Sequence, residues 1–345
     1  MSEPRTAVIT GASRGLGMAS ATYLYQRGWR VVAAMRSPDT GLEALRAATG
    51  AASDDPRLIG VQLDLLDPPS IAAAAQAIEE RVGAPHVVVH NAGISAAGMV
   101  EEVPIDLWER MFATHVFGPV VLTQALLPSM RAAGRGRIVL ISSQGGVRGL
   151  PAIAAYSAAK GALERWGESM AGEIGPFGLG VTILVTGTFD TDIITDAGTS
   201  DYRDFDGPYA AHHTNIERRG KAAMRLAYSP TRFARRLVKV IDDDRSPFAR
   251  HAVGPDARTL LISNRLLPSK TLHRLTRMVM GIPTQTVTPG EPPPVALGFR
   301  TRVLIAAARV LPAPVLQRLT LVAMKFARSG ATDTTVPSSE DEHHG

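Results

Sequence analysis

Cysteine is absent from the 345 residues. That removes disulfide frameworks, zinc–thiolate sites and cysteine nucleophiles from consideration, and it fits a reducing, cytoplasmic setting. A signal peptide is not expected either, because Arg5 leads at once into a short apolar strand and a glycine turn. No uninterrupted apolar run reaches the ~18–20 residues of a membrane span. There is no internal repeat, and no nucleic-acid-binding motif accompanies the net charge of +5. The excess arginine lies mostly beyond residue 215, with the acidic residues in the first half and the tail. The charge therefore reads as a basic C-terminal face without a nucleic-acid partner.

What remains is the composition of a globular protein, 45% apolar and 20% charged, long enough for one large core with an appendage. Residues 1–185 alternate short β-branched runs with helical patterns. The strands expected are Thr6–Thr10, Arg30–Ala34, Leu58–Leu63, His86–His90, Arg137–Ser142 and Val181–Val185, with amphipathic stretches such as Ile71–Arg81 and Asp106–Arg131 between them. This βαβα grammar predicts an α/β fold, a doubly wound parallel sheet of Rossmann type. Residues 186–228 show no sustained period and are expected to form a substrate loop. Ser229-Pro230 opens a helix to about Ile241, Ala252–Gly254 is a candidate last strand, and 256–280 reads as two basic helices broken at Pro268. The expected division is a catalytic domain over 1–282, a Pro-rich linker and helical C-terminal extension over 283–328, and a disordered tail over 329–345.

The first strand runs into Thr10-Gly11-Ala12-Ser13-Arg14-Gly15-Leu16-Gly17 and then a helix. Glycines there let the backbone approach a pyrophosphate, and the helix N-terminus stabilises its charge. The same residues also read as G-x-S-x-G, so a serine hydrolase using Ser13 is an alternative. It is disfavoured because only nine residues precede the turn, too few for an earlier strand and loop to donate an oxyanion-hole amide. At the end of the second strand, Ala34-Met35-Arg36 carries no acid for a ribose 2′-hydroxyl. Arg36 and Arg14 together favour a 2′-phosphate, hence NADP(H).

These residues, with Asp64 and Leu65 after the third strand, Asn91-Ala92-Gly93 after the fourth, and Tyr156-Ser157-Ala158-Ala159-Lys160 thirteen residues beyond Ser143, resemble the short-chain dehydrogenase/reductase family over about residues 5–255. The TGxxxGxG, NAG and YxxxK motifs appear in the family's order. Members similar to 17β-hydroxysteroid and retinol dehydrogenases share the Met35-Arg36 pair, the Ser229-Pro230 helix and the Val253-Gly254-Pro255-Asp256 stretch. The resemblance implies a metal-free NADP(H)-dependent oxidoreductase interconverting an alcohol and a carbonyl. Tyr156 would be the general acid/base, four residues from Lys160 on one helix face. Ser143 would donate to the substrate oxygen, and Lys160 would also hold the nicotinamide ribose. Gly11, Ser13, Gly15, Leu16, Gly17, Ala92, Gly187 and Thr191 complete the expected cofactor contacts.

Two places depart from the family's pattern. His115 stands where the family has an Asn in its proton relay, and its imidazole is expected to titrate near neutrality. It supports the relay, replaces its water, or marks a catalytically silent NADP(H)-binding protein. Thr186-Gly187 replaces the usual Pro-Gly. Gln144–Leu150 and the aromatics Phe189, Tyr202, Phe205 and Tyr209 are the expected walls of a site for a bulky apolar alcohol or carbonyl. In the extension, Leu297–Val310 and Val315–Phe326 are apolar and dotted with arginine. They are expected to pack on the protein or a neighbouring subunit of a homo-oligomer, with peripheral membrane contact as the alternative.

Overall fold

The structure is a computed structural model in which residues 4–191, 199–243 and 246–282 are described. The helices expected at 297–310 and 315–326, the linker before them and the tail lie outside the described residues.

The chain opens with β1 (Thr6–Thr10), α1 (Gly15–Gln26), β2 (Arg30–Met35), α2 (Pro38–Thr49), β3 (Leu58–Gln62), α3 (Pro68–Val82) and β4 (Val87–His90). A short β5 (Ser95–Ala97) precedes α4 (Ile105–Phe112), a π turn (Ala113–Phe117) and α5 (Gly118–Ala132). Then come β6 (Gly136–Ser143), α6 (Gln144–Val147), α7 (Ala154–Ile174), β7 (Leu179–Thr186), β8 (Thr199–Asp201), α8 (Ala210–Met224), α9 (Pro230–Asp243), β9 (Phe248–Val253), α10 (Pro255–Leu266) and α11 (Ser269–Met280). Prolines open α2, α3, α9 and α10, where a missing amide hydrogen costs nothing. Gly50 and Gly281 close α2 and α11 in the left-handed conformation.

Seven strands form one parallel sheet in the order β3-β2-β1-β4-β6-β7-β9. Side chains alternate across it: Val8 joins the apolar cluster on one face with Leu122, Leu126 and Leu163, while Ala7 and Ile9 join Leu24, Phe233 and Leu237 on the other. With both faces covered by helices, the central strands must be apolar throughout, which made them legible in the sequence. The order reverses between β1 and β4, and that reversal opens a crevice at the carboxyl ends of the strands.

Three expectations change. The last strand starts at Phe248, four residues before the expected one, because an edge strand with one neighbour tolerates Arg250 and His251 in its middle. Residues 186–228 are not free of regular structure. They include β8, paired with β5, and the fifteen-residue α8, which buries only His213 and so carries no apolar period to read. The expected single helix over Asp106–Arg131 is interrupted by the π turn. Pro119 lacks the amide that would bond the carbonyl four residues earlier, at 115, and its ring crowds that carbonyl. The stretch Ile105–Ala132 as a whole is long and apolar enough to cross a membrane, but half of its most apolar window is buried within the protein. A core helix of a doubly wound sheet meets the same criteria.

Candidate active site

The glycine turn is a backbone cradle. Gly11 and Gly15 have φ of +66° and +55°, values that strain any residue with a Cβ. A Cβ on Gly17 would lie 2.2 Å from the Gly11 carbonyl oxygen and 2.5 Å from Asn91 Nδ2, and one on Gly11 2.8 Å from Ala92 Cα. Asn91-Ala92-Gly93 holds this turn against β1. The Asn91 and Ala92 amides both donate to Thr10 Oγ1 at 3.0 Å, and Asn91 Nδ2 donates to the Thr10 and Gly11 carbonyls at 3.0 and 3.2 Å. Thr191 stands beside the turn, its Cγ2 3.5 Å from where a Gly15 Cβ would be.

Arg14, at the cap of α1, and Arg36, just past β2, are exposed, and neither forms an ion pair among the described residues. Asp64 accepts from the Leu66 amide at 3.0 Å, and Leu65 is buried against Gly118. Ser13 is exposed at the tip of the turn, with no histidine hydrogen-bonded to it among the described residues. A turn without a Cβ at three positions, a helix N-terminus and two free guanidiniums fit a phosphorylated dinucleotide.

The carboxyl end of β6 and the first turns of α7 bring the expected catalytic groups together. Ser143 is hydrogen-bonded to Tyr156. Lys160, only 5% exposed, donates from Nζ to the Ile141 carbonyl at 2.7 Å and lies 5.8 Å from the centre of the Tyr156 ring. Burial pushes the Tyr156 hydroxyl above its ordinary pKa, and the Ser143 bond opposes that. Burial lowers Lys160 to about 7, with the Glu164 carboxylate resisting.

The π turn delivers His115 to the same place, edge-on to the Tyr156 ring at 5.4 Å. Its Nε2 is 2.9 Å from the Ile94 carbonyl oxygen and 3.3 Å from the Ile94 amide. The shorter contact assigns the proton to Nε2 and leaves Nδ1 a buried acceptor with no partner among the described residues. The expected titration near neutrality does not arise. Burial, reinforced by the Lys160 charge and opposed by the Ile94 bond, holds the imidazole well below its ordinary pKa and therefore neutral.

Sequence reasoning missed two supports. Asp256, at the start of α10, accepts from Gln144 Nε2 at 2.8 Å and from the Thr188 amide at 2.7 Å, and so ties the residue after Ser143 to the residue after Gly187. Gly187 is required there, since a Cβ would lie 1.9 Å from Asp256 Oδ1. Glu164, fully buried, accepts from Ser142 Oγ at 2.6 Å and pairs with Arg250. Its spacing of four from Lys160 was a readable signal, but Arg250 arrives from an edge strand 86 residues away.

Gln144–Leu150, expected as a substrate wall, has further neighbours in the fold. Gly145–Leu150, Pro151, the start of α7 and His273, Thr276 and Arg277 of α11 line a cleft of about 510 Å³. Of the four aromatics expected to line the site, Phe189 is a core residue, 2% exposed and packed between Phe233 and Tyr228. Tyr202 packs in the small apolar cluster that includes Tyr156, and Phe205 and Tyr209 stack on His213. His213 is itself fully buried, 2.7 Å from Glu102.

The short chain dehydrogenase family profile matches residues 5–201. Over 281 residues, 81% of this chain and 99% of the relative, the sequence is 28% identical to a 3-ketodihydrosphingosine reductase of Bacteroides thetaiotaomicron. It is 33% identical to an uncharacterized oxidoreductase of Bacillus subtilis over 55% of this chain and 66% of that one, and 35% identical to mouse dehydrogenase/reductase SDR family member 7B over 56% and 60%. The chain thus spans about two thirds or less of the length of these last two. Among solved structures, a short-chain dehydrogenase from Streptomyces avermitilis superposes with a TM-score of 0.68 at 33% identity, covering 80% of this chain and 97% of that one. A metagenomic short-chain oxidoreductase in complex with NADP superposes with a TM-score of 0.57 at 26% identity, covering 72% and 96%.

Proposed function

The chain belongs to the short-chain dehydrogenase/reductase family, and on that premise we propose that it is an NADP(H)-dependent oxidoreductase that interconverts a bulky apolar alcohol and its ketone or aldehyde. The observation that carries the reading is the convergence of Ser143, Tyr156, Lys160 and His115 on one point beside the glycine cradle. Bound nicotinamide cofactor supplies the hydride acceptor or donor; the protein's own groups handle the proton. Ser143 Oγ donates to the substrate oxygen as charge develops on it. Tyr156, kept as a phenol by burial, gives that oxygen its proton in carbonyl reduction and takes it back in oxidation. The ammonium of Lys160 stabilises the phenolate in the second direction. His115 Nδ1, an acceptor within the site, is suited to hold a relay water.

Arg14 and Arg36 support NADP(H) over NAD(H), as does the NADP bound to the metagenomic neighbour. The name of the Bacteroides relative, a 3-ketodihydrosphingosine reductase, supports an apolar carbonyl substrate.

The test is NADPH consumption across a panel of apolar ketones and aldehydes, with NADH alongside. NADPH turnover on at least one member is expected, and Tyr156→Phe should lower it by about 10²–10⁴-fold while NADPH binding persists. Wild-type turnover in Tyr156→Phe overturns the mechanism. NADPH binding without turnover on any carbonyl favours the silent binding protein.

A further inference from the structure

Glu164 is the one fully buried carboxylate near the catalytic helix face among the described residues, and the proton chemistry above does not use it. It lies one turn beyond Lys160 on α7, on the same face. Its two oxygens are divided between neighbours from two strands. Oε1 accepts from Ser142 Oγ at 2.6 Å, and Oε2 pairs with Arg250 of β9, whose side chain is 25% exposed. Ser142 in turn lies between the two residues that carry the chemistry: Ile141, whose carbonyl receives Lys160 Nζ at 2.7 Å, and Ser143. The Ser142 carbonyl is also fixed, by Thr186 Oγ1 at 2.8 Å. Gly146 is shaped around this group, since a Cβ there would lie 2.5 Å from Ser142 Oγ and 2.8 Å from Glu164 Oε1.

A fully buried carboxylate is costly unless paired and hydrogen-bonded. A device that only fastened α7 to β6 would need a hydroxyl or an amide, not a charge. The charge meets Arg250 directly, and among the described residues the nearby cation without an ion pair of its own is Lys160.

We propose that Glu164 is a positioning residue of the site, its carboxylate held between Ser142 and Arg250 so that it sustains the ammonium form of Lys160 and fixes the strand end bearing Ser143. This rests on the functional reading above for its consequence in turnover, though the coupling itself does not. The charged and titratable groups around Lys160 are Tyr156 and Glu164 on α7 and His115 from the π turn; those around Glu164 are Arg250 from β9, and Arg165 and Glu168 on its own helix. His115 is neutral and Tyr156 is a phenol, so among the described residues Glu164 is the anion acting on the ammonium. Burial drives Lys160 down to about 7 and Glu164 is the influence that opposes it. Arg250 and the Ser142 bond resist the rise that burial imposes on Glu164 itself.

The chain has five lysines, Lys160, Lys221, Lys239, Lys270 and Lys325. Carbon-13 labelling at lysine Cε therefore gives five signals, with that of Lys160 assigned by its loss in Lys160→Arg. Titrating the cofactor-free protein reads the Lys160 charge directly, without a substrate. In Glu164→Gln, which keeps shape and hydrogen bonding but drops the charge, the Lys160 midpoint should fall by about one pH unit. Glu164→Asp, shorter but still anionic, should hold it near wild type. Arg250→Met should act in the sense of Glu164→Gln, because the carboxyl left behind takes up a proton. It decides the matter if Glu164→Gln does not fold, the site of substitution being a partly exposed edge-strand residue.

A merely structural role predicts the reverse ranking, with the isosteric Gln closer to wild type than Asp. That ranking, or an unmoved Lys160 signal, overturns the proposal. With an active wild type, the pH limb of turnover should follow the NMR midpoints across the same variants. The expected NMR shifts in a protein without turnover would instead count against the oxidoreductase reading and leave the coupling standing.

Discussion

The two banks of the crevice are built differently. The proposed cofactor bank, from the glycine turn to Asn91-Ala92-Gly93, is glycine backbone packed where no Cβ fits, pinned by the Thr10 hydroxyl and the Asn91 side-chain amide to main-chain groups. The proposed substrate bank is held by long side chains that latch one element to the next. Glu102, after β5, accepts from the Met99 amide at 2.6 Å and from the buried His213 of α8 at 2.7 Å. Burial works against its charge, yet His213 and the Met99 and Asp204 amides hold its carboxyl below the ordinary range. Arg219 of α8 reaches the Met278 and Val279 carbonyls at the end of α11. A backbone cradle admits one ligand shape and no drift, whereas side-chain latches can be exchanged without disturbing the sheet. One bank is therefore suited to a fixed cofactor and the other to a changeable substrate.

The comparison is most severely tested at Gly17. Gly17→Val should lower stability by about 1–3 kcal/mol or more and weaken NADPH binding by about a hundredfold, because backbone atoms 2.2 Å away cannot make room. Thermal melts and fluorescence titration with NADPH would check it. Wild-type binding in this variant would mean that the cradle is not where the cofactor lies.

A smaller effect is expected at Arg36, where Arg36→Asp should weaken NADPH by roughly tenfold to a hundredfold, the worth of a charge-assisted contact. NADH affinity should stay level, since only the 2′-phosphate is affected. Parallel losses for both cofactors in the same titrations would show a general role for Arg36.

The smallest effect on the cofactor should come from the opposite bank. Glu102→Ala strips the buried His213 of its partner, at a local cost of about 1–3 kcal/mol. It should raise KM for the apolar carbonyl several-fold and speed amide exchange in α8, with the NADPH dissociation constant unchanged. A change in NADPH affinity would erase the distinction between the banks.

The sequence by itself determined the parallel sheet, the glycine cradle and the pairing of Tyr156 with Lys160 on one helix face, while Ser143 entered only through the family resemblance. Each of those three is written in a contiguous pattern: β-branched runs for doubly buried strands, glycines at positions with no room for a Cβ, and a spacing of four that places two groups on one helix face. The sequence could not show α8, whose surface is polar except at His213, or the edge strand interrupted by Arg250 and His251. It left Phe189 in the wrong place, since an aromatic in an irregular stretch reads the same whether it lines a pocket or joins the core. Tertiary structure alone decided that His115 is neutral, that Asp256 ties two strand ends, and that Glu164 meets Arg250. Those facts depend on burial and on partners distant in the chain, and no local pattern encodes how much water the fold takes away from a side chain.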